Sequence, residues 1–366
     1  MLASVKPSKR GDQFKALAAL YYLSSDEKPT SAAEINQLIR LHDPRGVPSN
    51  TSATLRRCQG LVTPIPDGRL LRWSLTRDGI AHLEHLSGLS LSHNDPLDGF
   101  DIDIGIVCAL EHPELMAVMT AAGGCAQWHE IGDARYPHLY RETRLPIKSG
   151  TDLRVVATTS TSMGLTSAAI ATTHLIFRFR PRLVCMIGIA AGTRSSDKEF
   201  GDILVADPSV DYNSGKVSEQ NGIREFLPDP YPIGLNPRLR ILLHKYRGNH
   251  GIFQAIRSKW PATPPRKMNR LHLGPVGAAD QVIDDPQRVI EIQRNWRKLI
   301  GVEMETYAVY RACYEAPEPK PRFISFKSVC DFAAEKSDSW QPYAAFTAAE
   351  FSLAFLTDEW DAMWHT

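Results

Sequence analysis

The sequence predicts a mixed α/β fold, with a mostly parallel central sheet flanked by helices, preceded by a small domain of helices and one hairpin. From residue 101 onward, apolar and β-branched runs alternate with helical patterns, which is typical of a parallel sheet covered on both faces. Before residue 95, short helical segments lead into two alternating stretches. The join at residues 87–100 is rich in Ser, Gly, Asn, Asp and Pro, a composition that favours a linker. We therefore expect two domains, residues 1–95 and residues 101–366.

Composition and charge limit the classes of protein to which this sequence can belong. Of 366 residues, 43% are hydrophobic and 23% are charged, the ordinary balance of a globular protein. The 42 Lys and Arg residues almost balance the 41 Asp and Glu residues, which argues against a general polyanion binder but leaves room for a local basic face. No apolar run approaches the roughly 20 residues of a membrane span, and the N-terminus lacks an apolar signal segment. We expect a soluble cytoplasmic protein with no membrane partner, whose six scattered cysteines are reduced.

Residues 1–95 predict three helices, a hairpin and a closing helix. The segment FKALAALYYL carries its apolar residues at helical spacing. Ser31 and Glu34 form a capping box that opens a second helix, and a third is predicted for residues 49–61. Alternating residues around Asp67-Gly68, a strong turn dipeptide, predict the hairpin, and the last helix is predicted for residues 77–88.

This order of elements resembles the winged helix-turn-helix family. In DNA-binding members the third helix enters the major groove and the hairpin, or wing, contacts backbone phosphates. The resemblance implies nucleic-acid contacts through Arg56 and Arg57 on the third helix and through Arg69 and Arg72 on the wing, aided by a basic N-terminal tail. Such modules also mediate protein contacts, so both a nucleic acid and a protein are candidate partners.

Strands and helices alternate in residues 101–366. Strands are predicted at 102–110, 154–161, 182–190, 201–209 and 322–331, and helices at 111–122, 165–179, 287–297, 307–314 and 343–356. In such sheets, ligands bind beyond the carboxyl ends of the strands. Four stretches stand out at or near those ends, namely CALEHPEL, IGIAAGT, GVEMET and SVCDFA.

The carboxylates in these stretches suit the cleavage of an N-glycosidic bond. One carboxylate can activate water, one can hold the ribose hydroxyls, and one can stabilise the departing base. Motifs for other chemistries are missing, since there is no GxGxxG or GKS/GKT phosphate loop and no HExxH or other metal spacing. We therefore expect neither a cofactor nor a metal.

Six segments together resemble the nucleoside phosphorylase superfamily: IGIVCAL, SMGLTSAA, IGIAAG with GDILVAD, LGPVGAADQVIDD, GVEMET and VCDFAAEKSDSWQPYAAFTAA. They follow the family's order from about residue 101 to residue 356. Within that superfamily they look most like methylthioadenosine/S-adenosylhomocysteine nucleosidases and the nucleosidase domains of immune effectors. The resemblance implies a phosphorylase-like fold and a purine nucleoside or nucleotide substrate, above all one with adenine as its base.

The resemblance also implies three catalytic residues. Asp331 would bind or protonate purine N7, Glu305 would hydrogen-bond the ribose 2′- and 3′-hydroxyls, and a Glu in the first loop would activate water. In the family this Glu usually lies four residues after the strand-end Ala, a position that Pro113 occupies here. A one-residue insertion in the turn would restore Glu114, our first candidate, with Glu111 as the alternative.

A set of substrate-binding residues follows from the same resemblance. Met304 would pack on the sugar, and Glu303 would lie near the edge of base and sugar. The base would stack on the segment that contains Val282 and Ile283. Small residues would let the backbone approach base and ribose closely; these are Ala190, Ala191 and Gly192.

Two further departures from the family pattern affect the expected site. Ala278 and Ala279 replace the usual Ser-Gly before Asp280. Lys327 stands where nucleosidases often carry Arg, and as a cation at a strand end it suits either a 5′-phosphate of the substrate or a structural salt bridge.

Water is predicted as the nucleophile. Phosphorylases hold phosphate with arginines near the first and second loops, whereas CALEHPEL and TSTSMGLTSAA contain none. The leading hypothesis is an N-glycosidase that hydrolyses the base–ribose bond and serves as a nucleotide-depleting antiphage effector controlled by its winged helix. The alternatives are a DNA-binding regulator that senses a nucleoside without turnover, an inert assembly subunit, and a phosphate-dependent phosphorylase. By resemblance we also expect a homo-oligomer or a larger complex.

Overall fold

The computed structural model describes residues 11–23, 29–43, 46–68, 70–76, 79–80, 82–83, 99–132, 136–148, 150–193, 198–220, 222–333 and 338–364. The chain divides into two compact units, with the boundary between Gly99 and Phe100. Each unit has a hydrophobic core of its own.

In its described residues, the first unit packs three helices against a three-stranded antiparallel sheet. Its elements are α1 (Asp12–Leu23), β1 (Thr30–Ser31), α2 (Ala32–His42), α3 (Thr51–Arg56), β2 (Val62–Asp67) and β3 (Leu70–Leu75), with strand order β1–β3–β2. The capping box is present, because Ser31 Oγ accepts from the Glu34 N–H and Glu34 Oε2 accepts from the Ser31 N–H. The hairpin turns through Gly68, whose φ of +60° is a conformation that favours glycine.

The third helix is shorter than residues 49–61. It begins at the Asn50 cap and gives way to a turn in which Gly60 has a φ of +79°, a conformation that a helix does not continue through. Of the predicted closing helix, residues 79–80 and 82–83 are described, are helical and include the fully buried Leu83. The rest of that helix and most of the predicted linker lie outside the described residues. The winged-helix assignment stays a prediction.

The second unit is built on a nine-stranded mixed sheet in the described part of the chain. Its strands are β4 (Ile102–Cys108), β5 (His129–Ile131), β6 (Tyr140–Pro146), β7 (Asp152–Thr159), β8 (Pro181–Gly192), β9 (Ile203–Asp211), β12 (Leu271–Ala278), β13 (Gly301–Glu303) and β14 (Arg322–Asp331), in the order β13–β12–β9–β14–β8–β4–β7–β6–β5. A separate hairpin consists of β10 (Gly215–Gln220) and β11 (Ile223–Pro228). Strand β4 pairs in parallel with β7 and with β8, and β8 pairs in parallel with β14. Strand β6 pairs antiparallel with both β5 and β7.

One end of this sheet closes on itself. The short strand β13 pairs in parallel with β12 and antiparallel with β8, so that β8, β14, β9, β12 and β13 form a closed ring of strands. A closed ring leaves no free edge at that end of the sheet.

Helices cover both faces of the sheet. They are α4 (Met116–Ala121), α5 (Leu165–Phe179), α6 (Pro237–His244), α7 (His250–Lys259), α8 (Pro286–Asn295), α9 (Thr306–Tyr314) and α10 (Gln341–Trp364), and a π-helical turn at Glu111–Leu115 precedes α4. Alternate residues of β4 face opposite layers: Ile104 and Ile106 join the core that contains α10, and Val107 joins the core that contains α5 and α9. No helix in the described residues is long and apolar enough to cross a membrane.

The mixed α/β fold predicted from the sequence is confirmed, and all five predicted strands are present within a few residues of their expected bounds. The sequence pattern did not reveal β5, β6, β12, β13, the β10–β11 hairpin, α6 or α7. The last helix runs from Gln341 to Trp364 instead of 343–356, because its apolar residues pack on several sides and give little periodicity.

Candidate active site

The first loop after β4 is wound as a single π-helical turn. The Leu115 N–H donates to the Leu110 carbonyl at 3.1 Å, five residues back instead of four. The extra residue is absorbed at His112, whose φ of −118° and ψ of 129° are extended and not helical. A π turn is how a helix accommodates one inserted residue, and such turns are frequent at functional sites. The turn places Glu114 at the inner side of the loop.

Glu114 is 2% exposed and its two oxygens are fixed by three backbone donors. Oε2 accepts from the N–H groups of Ala109 at 2.8 Å and Leu110 at 2.9 Å, and Oε1 accepts from the Ile189 N–H at 2.8 Å. Gly188 makes room for this carboxylate, because a Cβ there would clash with Oε1. Burial raises the pKa of Glu114 above its ordinary value, an effect that Glu305 adds to and that Lys327 opposes.

The alternative residue in this loop, Glu111, faces elsewhere. Its carboxylate forms a two-pronged ion pair with Arg141 of β6, at 2.8 and 3.1 Å. Glu111 does not line the cavity described below, and 39% of its side chain is exposed.

Two further glutamates lie where β13 meets α9. Glu303 is the last residue of β13, and its carboxylate accepts from the N–H groups of Glu305 and Thr306 at 2.9–3.0 Å, which caps α9. Glu305 is 4% exposed, and its Oε1 accepts from the Gly164 N–H at 3.1 Å. Burial raises the pKa of Glu303, while nearby Lys327 opposes the rise.

Lys327, on β14, is the buried counter-charge of this group. Its Nζ lies 3.1 Å from Glu305 Oε2 and 3.4 Å from Glu303 Oε2, and 1% of its side chain is exposed. Burial alone would lower the pKa of Lys327, but the surrounding Glu carboxylates together raise it above its ordinary value. Of the two expectations for this residue, the structure therefore places Lys327 in a salt bridge behind the carboxylates.

The loop between β7 and α5 is held by carboxylates from elsewhere in the chain. The Leu165 N–H donates to Asp280 Oδ1 at 2.5 Å, and the preceding Gly164 N–H donates to Glu305. Gly164 has a φ of +116°, and a Cβ there would clash with Asp280. Two backbone donors at the start of α5 are thus already satisfied by the protein's own anions.

Asp331 ends β14 opposite the glutamates. Its Oδ1 accepts from the Ala333 N–H at 2.7 Å, and the Cys330 thiol donates to Oδ2 at 3.4 Å. These contacts leave Asp331 half-buried, with carboxylate lone pairs available to a ligand.

A single cavity of about 260 Å³ brings these groups together. The predicted residues on its lining are Glu114, Ala190, Ala191, Val282, Ile283, Glu303, Met304, Glu305 and Asp331. The apolar residues Ala109, Leu110, Ile189 and Val302 also line the cavity. The lining therefore combines an apolar surface with a few fixed polar groups, as expected of a small-molecule site.

Two predicted binding residues lie outside the lining. Gly192 packs beneath the site, where a Cβ would press on Val329 and Phe332 at 3.1–3.3 Å, so its small size serves strand packing. Lys327 lies behind Glu303 and Glu305 and does not reach the cavity surface.

Sequence reasoning missed several residues that line the cavity, namely Met163, Gln281, Cys330, Asp338 and Gln341. Met163 belongs to a segment that was recognised, but its orientation toward the cavity depends on the Gly164 turn. Asp338 and Gln341 follow a strand end by several residues and carry no motif of their own. No group of three or more His, Cys, Asp or Glu side chains in the described residues is arranged to hold a metal ion.

The arginines predicted to contact nucleic acid differ in their surroundings. Arg56 and Arg57 are exposed at the end of α3. Arg72 instead is tied within the unit, with Nε 2.7 Å from Asp67 Oδ2, a 3.5 Å contact to Glu34, and a hydrogen bond of 2.9 Å to the Pro29 carbonyl. Arg69 lies outside the described residues.

Comparison with known proteins identifies the family. The chain belongs to the phosphorylase superfamily, which matches residues 103–355. Its fold is similar to that of the 5′-methylthioadenosine/S-adenosylhomocysteine nucleosidase of Helicobacter pylori, with a TM-score of 0.55 and 20% identity over 70% of this chain and 98% of that one. The resemblance of the six sequence segments is thus confirmed.

Sequence relatives agree with this family. The chain is 31% identical to the uncharacterised protein y4jS of Sinorhizobium fredii over 69% of its own length and 60% of that protein, so it spans less than two thirds of this relative. It is 27% identical to the 5′-methylthioadenosine/S-adenosylhomocysteine nucleosidase of Geobacillus thermodenitrificans, over 53% of this chain and 76% of that protein. It is 24% identical to the ATP nucleosidase Cap17 of Escherichia coli, over 54% of this chain and 40% of that protein.

Proposed function

We propose that this protein is an N-glycosidase that hydrolyses the bond between a purine, preferably adenine, and ribose. The observation that carries the proposal is that Glu114, Glu305 and Asp331, from three distant parts of the chain, line one cavity. The nucleosidase relatives support the reaction type, and the adenine-containing substrates in their names support the base.

Each carboxylate has a role in this reaction. Glu114, with both oxygens held by backbone donors, takes a proton from water as the water oxygen attacks C1′. Glu305 accepts hydrogen bonds from the ribose 2′- and 3′-hydroxyls and thereby fixes the sugar. The C1′–N9 bond breaks, its electron pair passes to the base, and Asp331 donates a proton at N7. The products are free purine and ribose.

Water is favoured over phosphate as the nucleophile. A helix N-terminus is an ordinary anion site, but at α5 the N–H groups of Gly164 and Leu165 already bind Glu305 and Asp280. None of the described residues that line the cavity is Lys or Arg. A bound phosphate would therefore be repelled by carboxylates at the positions where it needs hydrogen-bond donors.

The test is a substrate panel with product identification. The full-length protein is incubated with adenosine, inosine, guanosine, methylthioadenosine, S-adenosylhomocysteine, AMP and ATP, with and without phosphate, and released base is measured by chromatography. We expect free adenine without a phosphate requirement, and a loss of about 100-fold or more in kcat for Asp331→Asn and Glu305→Gln. Absence of base release from every substrate would overturn the proposal, and release only with phosphate would overturn hydrolysis.

A role in antiphage defence is part of the same proposal. The likeness to the ATP nucleosidase Cap17 supports it. Expression of the wild-type chain during phage infection is then expected to arrest growth and lower the purine pool, and Asp331→Asn is expected to abolish both effects. Growth arrest that persists in Asp331→Asn would contradict the defence role.

A further inference from the structure

The helix α5 begins at a residue that has no side chain to cap it. Gly164 stands at the N-cap position, where a side-chain oxygen usually accepts from the N–H groups of the first turn. The acceptors come instead from two distant parts of the chain. Glu305 Oε1 accepts from the Gly164 N–H at 3.1 Å, and Asp280 Oδ1 accepts from the Leu165 N–H at 2.5 Å. Two carboxylates thus hold the amino end of α5.

Each of these carboxylates is part of a segment that lines the cavity. Glu305 lines it directly, and Asp280 is followed by residues 281–283, all of which line it. Met163 also lines the cavity and is joined to the amino end of α5 through Gly164. Three parts of the cavity wall are therefore connected at this helix end.

Hydrogen bonds close these parts into a circuit. The Ala279 N–H, next to Asp280, donates to the Glu303 carbonyl at 3.2 Å, and the Glu303 carboxylate accepts from the Glu305 N–H at 3.0 Å. Glu305 in turn accepts from the amino end of α5, which donates back to Asp280. Each member of such a circuit is held from two sides, so removal of the Asp280 link would leave the loop before α5 held on one side only.

The backbone at Gly164 is suited to this contact. Its φ of +116° favours glycine, and a Cβ there would clash with Asp280 Oδ1. An ordinary helix cap comes from the N-cap residue itself, as Asn236 does at α6 and Asp285 does at α8. Asp280 lies 115 residues along the chain from the N–H that it accepts from, so its hydrogen bond fixes two parts of the cavity wall to each other.

We propose that Asp280 is a positioning residue, which holds the loop before α5 where the Gly164 N–H fixes the Glu305 carboxylate and Met163 meets the cavity. Asp280 acts as a hydrogen-bond acceptor. Its side chain is exposed, so solvent screens its charge and the charge itself is not required. This inference rests on the proposed N-glycosidase activity and adds to it a residue outside the cavity lining.

The first experiment removes the acceptor, and separately its charge. In the full-length protein, Asp280→Ala should lower kcat/KM for the preferred substrate of the panel about tenfold, because Glu305 is no longer held in its productive position. Asp280→Asn keeps an oxygen for the Leu165 N–H and should stay within about threefold of the wild type. Asn236→Ala is the matched control, because it removes an ordinary helix cap away from the cavity lining, and kcat/KM should stay at the wild-type value.

Thermal melts check that all three variants fold. Wild-type kcat/KM in folded Asp280→Ala, or a loss in Asp280→Asn as large as in Asp280→Ala, would overturn the inference. No turnover of any substrate by the wild type would overturn the proposed function instead.

The second experiment tests whether Asp280 acts through Glu305. In a Glu305→Gln background, Asp280→Ala should cost less than about threefold in kcat/KM, because the group that Asp280 positions is already impaired. Independent effects would multiply. A full tenfold loss in the Glu305→Gln background would therefore overturn the link between the two residues, and a purely structural role of Asp280 would give that result.

Discussion

Gly188 and Glu114 show how one missing side chain governs the position of the proposed general base. The strand β8 passes so close to the first loop that the Glu114 carboxylate occupies the volume of a Cβ on Gly188 and accepts from the next backbone N–H, that of Ile189. The carboxylate is therefore placed by backbone atoms of the loop just after β4 and of β8, and not by neighbouring side chains.

Gly188→Ala is expected to lower kcat strongly while the protein still folds. The atom that must move is the end of a flexible Glu side chain, so the loss of stability should be small, but the displaced carboxylate would lose its place beside the water. We expect kcat to fall about 100-fold, measured with the preferred substrate of the panel.

Gly105→Ala is the contrasting control for that substitution. Its Cβ would press on Leu175 and Pro181 in the core, away from the cavity, so it should lower the melting temperature without a selective loss of kcat. If Gly188→Ala, unlike this control, kept a kcat near that of the wild type, then Glu114 would not be the general base.

The raised pKa of Glu114 predicts how kcat/KM falls at low pH, which is the acid limb of the pH profile. A general base must be ionised, so kcat/KM should fall as pH drops through a pKa above 4.5, the ordinary value. Lys327 opposes the rise, so Lys327→Gln should move this limb to higher pH, whereas Lys327→Arg should leave it near the wild-type position. A limb that does not move in Lys327→Gln would contradict the coupling.

Lys327 also contributes to stability, with a defined pH dependence. Its pKa is raised in the folded state, so its contribution is fully present below 10.5, the ordinary value, and is lost only as pH rises through the raised value. Lys327→Met would leave Glu303 and Glu305 buried without a counter-charge, and we expect it to lower the free energy of unfolding at pH 7 by about 3–5 kcal/mol, measured by urea denaturation. A change below about 1 kcal/mol would contradict this account.

At the scale of elements, the π turn compensates for the inserted residue. The family spacing pointed to Pro113, and the five-residue hydrogen bond from Leu115 to Leu110 brings Glu114 to the site instead. The extended residue is His112, which marks it as the insertion.

Deleting His112 is therefore expected to be tolerated. The loop would become Ala-Leu-Glu-Pro-Glu, in which an ordinary α-helical turn places the last Glu four residues after Ala109. We expect kcat within about threefold of wild type. Insertion of Ala beside His112 should cost about 100-fold, because two extra residues exceed what one π turn absorbs. Loss of activity on deletion would show that the π geometry itself is needed.

Five strands of the large sheet could be predicted from apolar runs, and the candidate carboxylates could be named from the segments that resemble the family. Apolar runs marked β4, β7, β8, β9 and β14, and Glu305 and Asp331 stand in recognisable segments. The burial of Lys327 was not accessible, because it depends on β14 lying next to β8 while β13 closes the ring. Asp338 and Gln341 reach the cavity only through the path of the chain after β14, which no periodicity encodes.

At the scale of the whole molecule, charge is distributed unevenly between the two parts of the chain. Residues 1–95 hold 12 Lys and Arg against 9 Asp and Glu, whereas the remainder holds 30 against 32. In the first unit, Arg72 is engaged by Asp67 and Glu34, so Arg56 and Arg57 are the better candidates for a nucleic-acid contact.

If the first unit binds DNA, the double change Arg56→Glu/Arg57→Glu should abolish the complex with a duplex, measured by fluorescence anisotropy. Wild-type affinity should fall steeply with salt, because such contacts release counterions. Arg40→Glu on α2 is the control for charge alone. Binding that is equal in the wild type and the double variant would exclude this surface, and no binding at low salt would favour a protein partner. The expected oligomer likewise stays a prediction.

Because the sheet closes at β13, the proposed activity would be a measure of complete folding. Glu303 ends a three-residue strand that pairs with both β12 and β8, and Glu305 lies two residues further on. Glu114 comes from the π turn after β4, and Asp331 comes from the end of β14. Partly folded chains would thus be unable to bring these carboxylates together. If the proposed reaction is correct, the rate of base release would report the amount of completely folded protein in a preparation, whereas spectroscopic signals would also include partly folded protein.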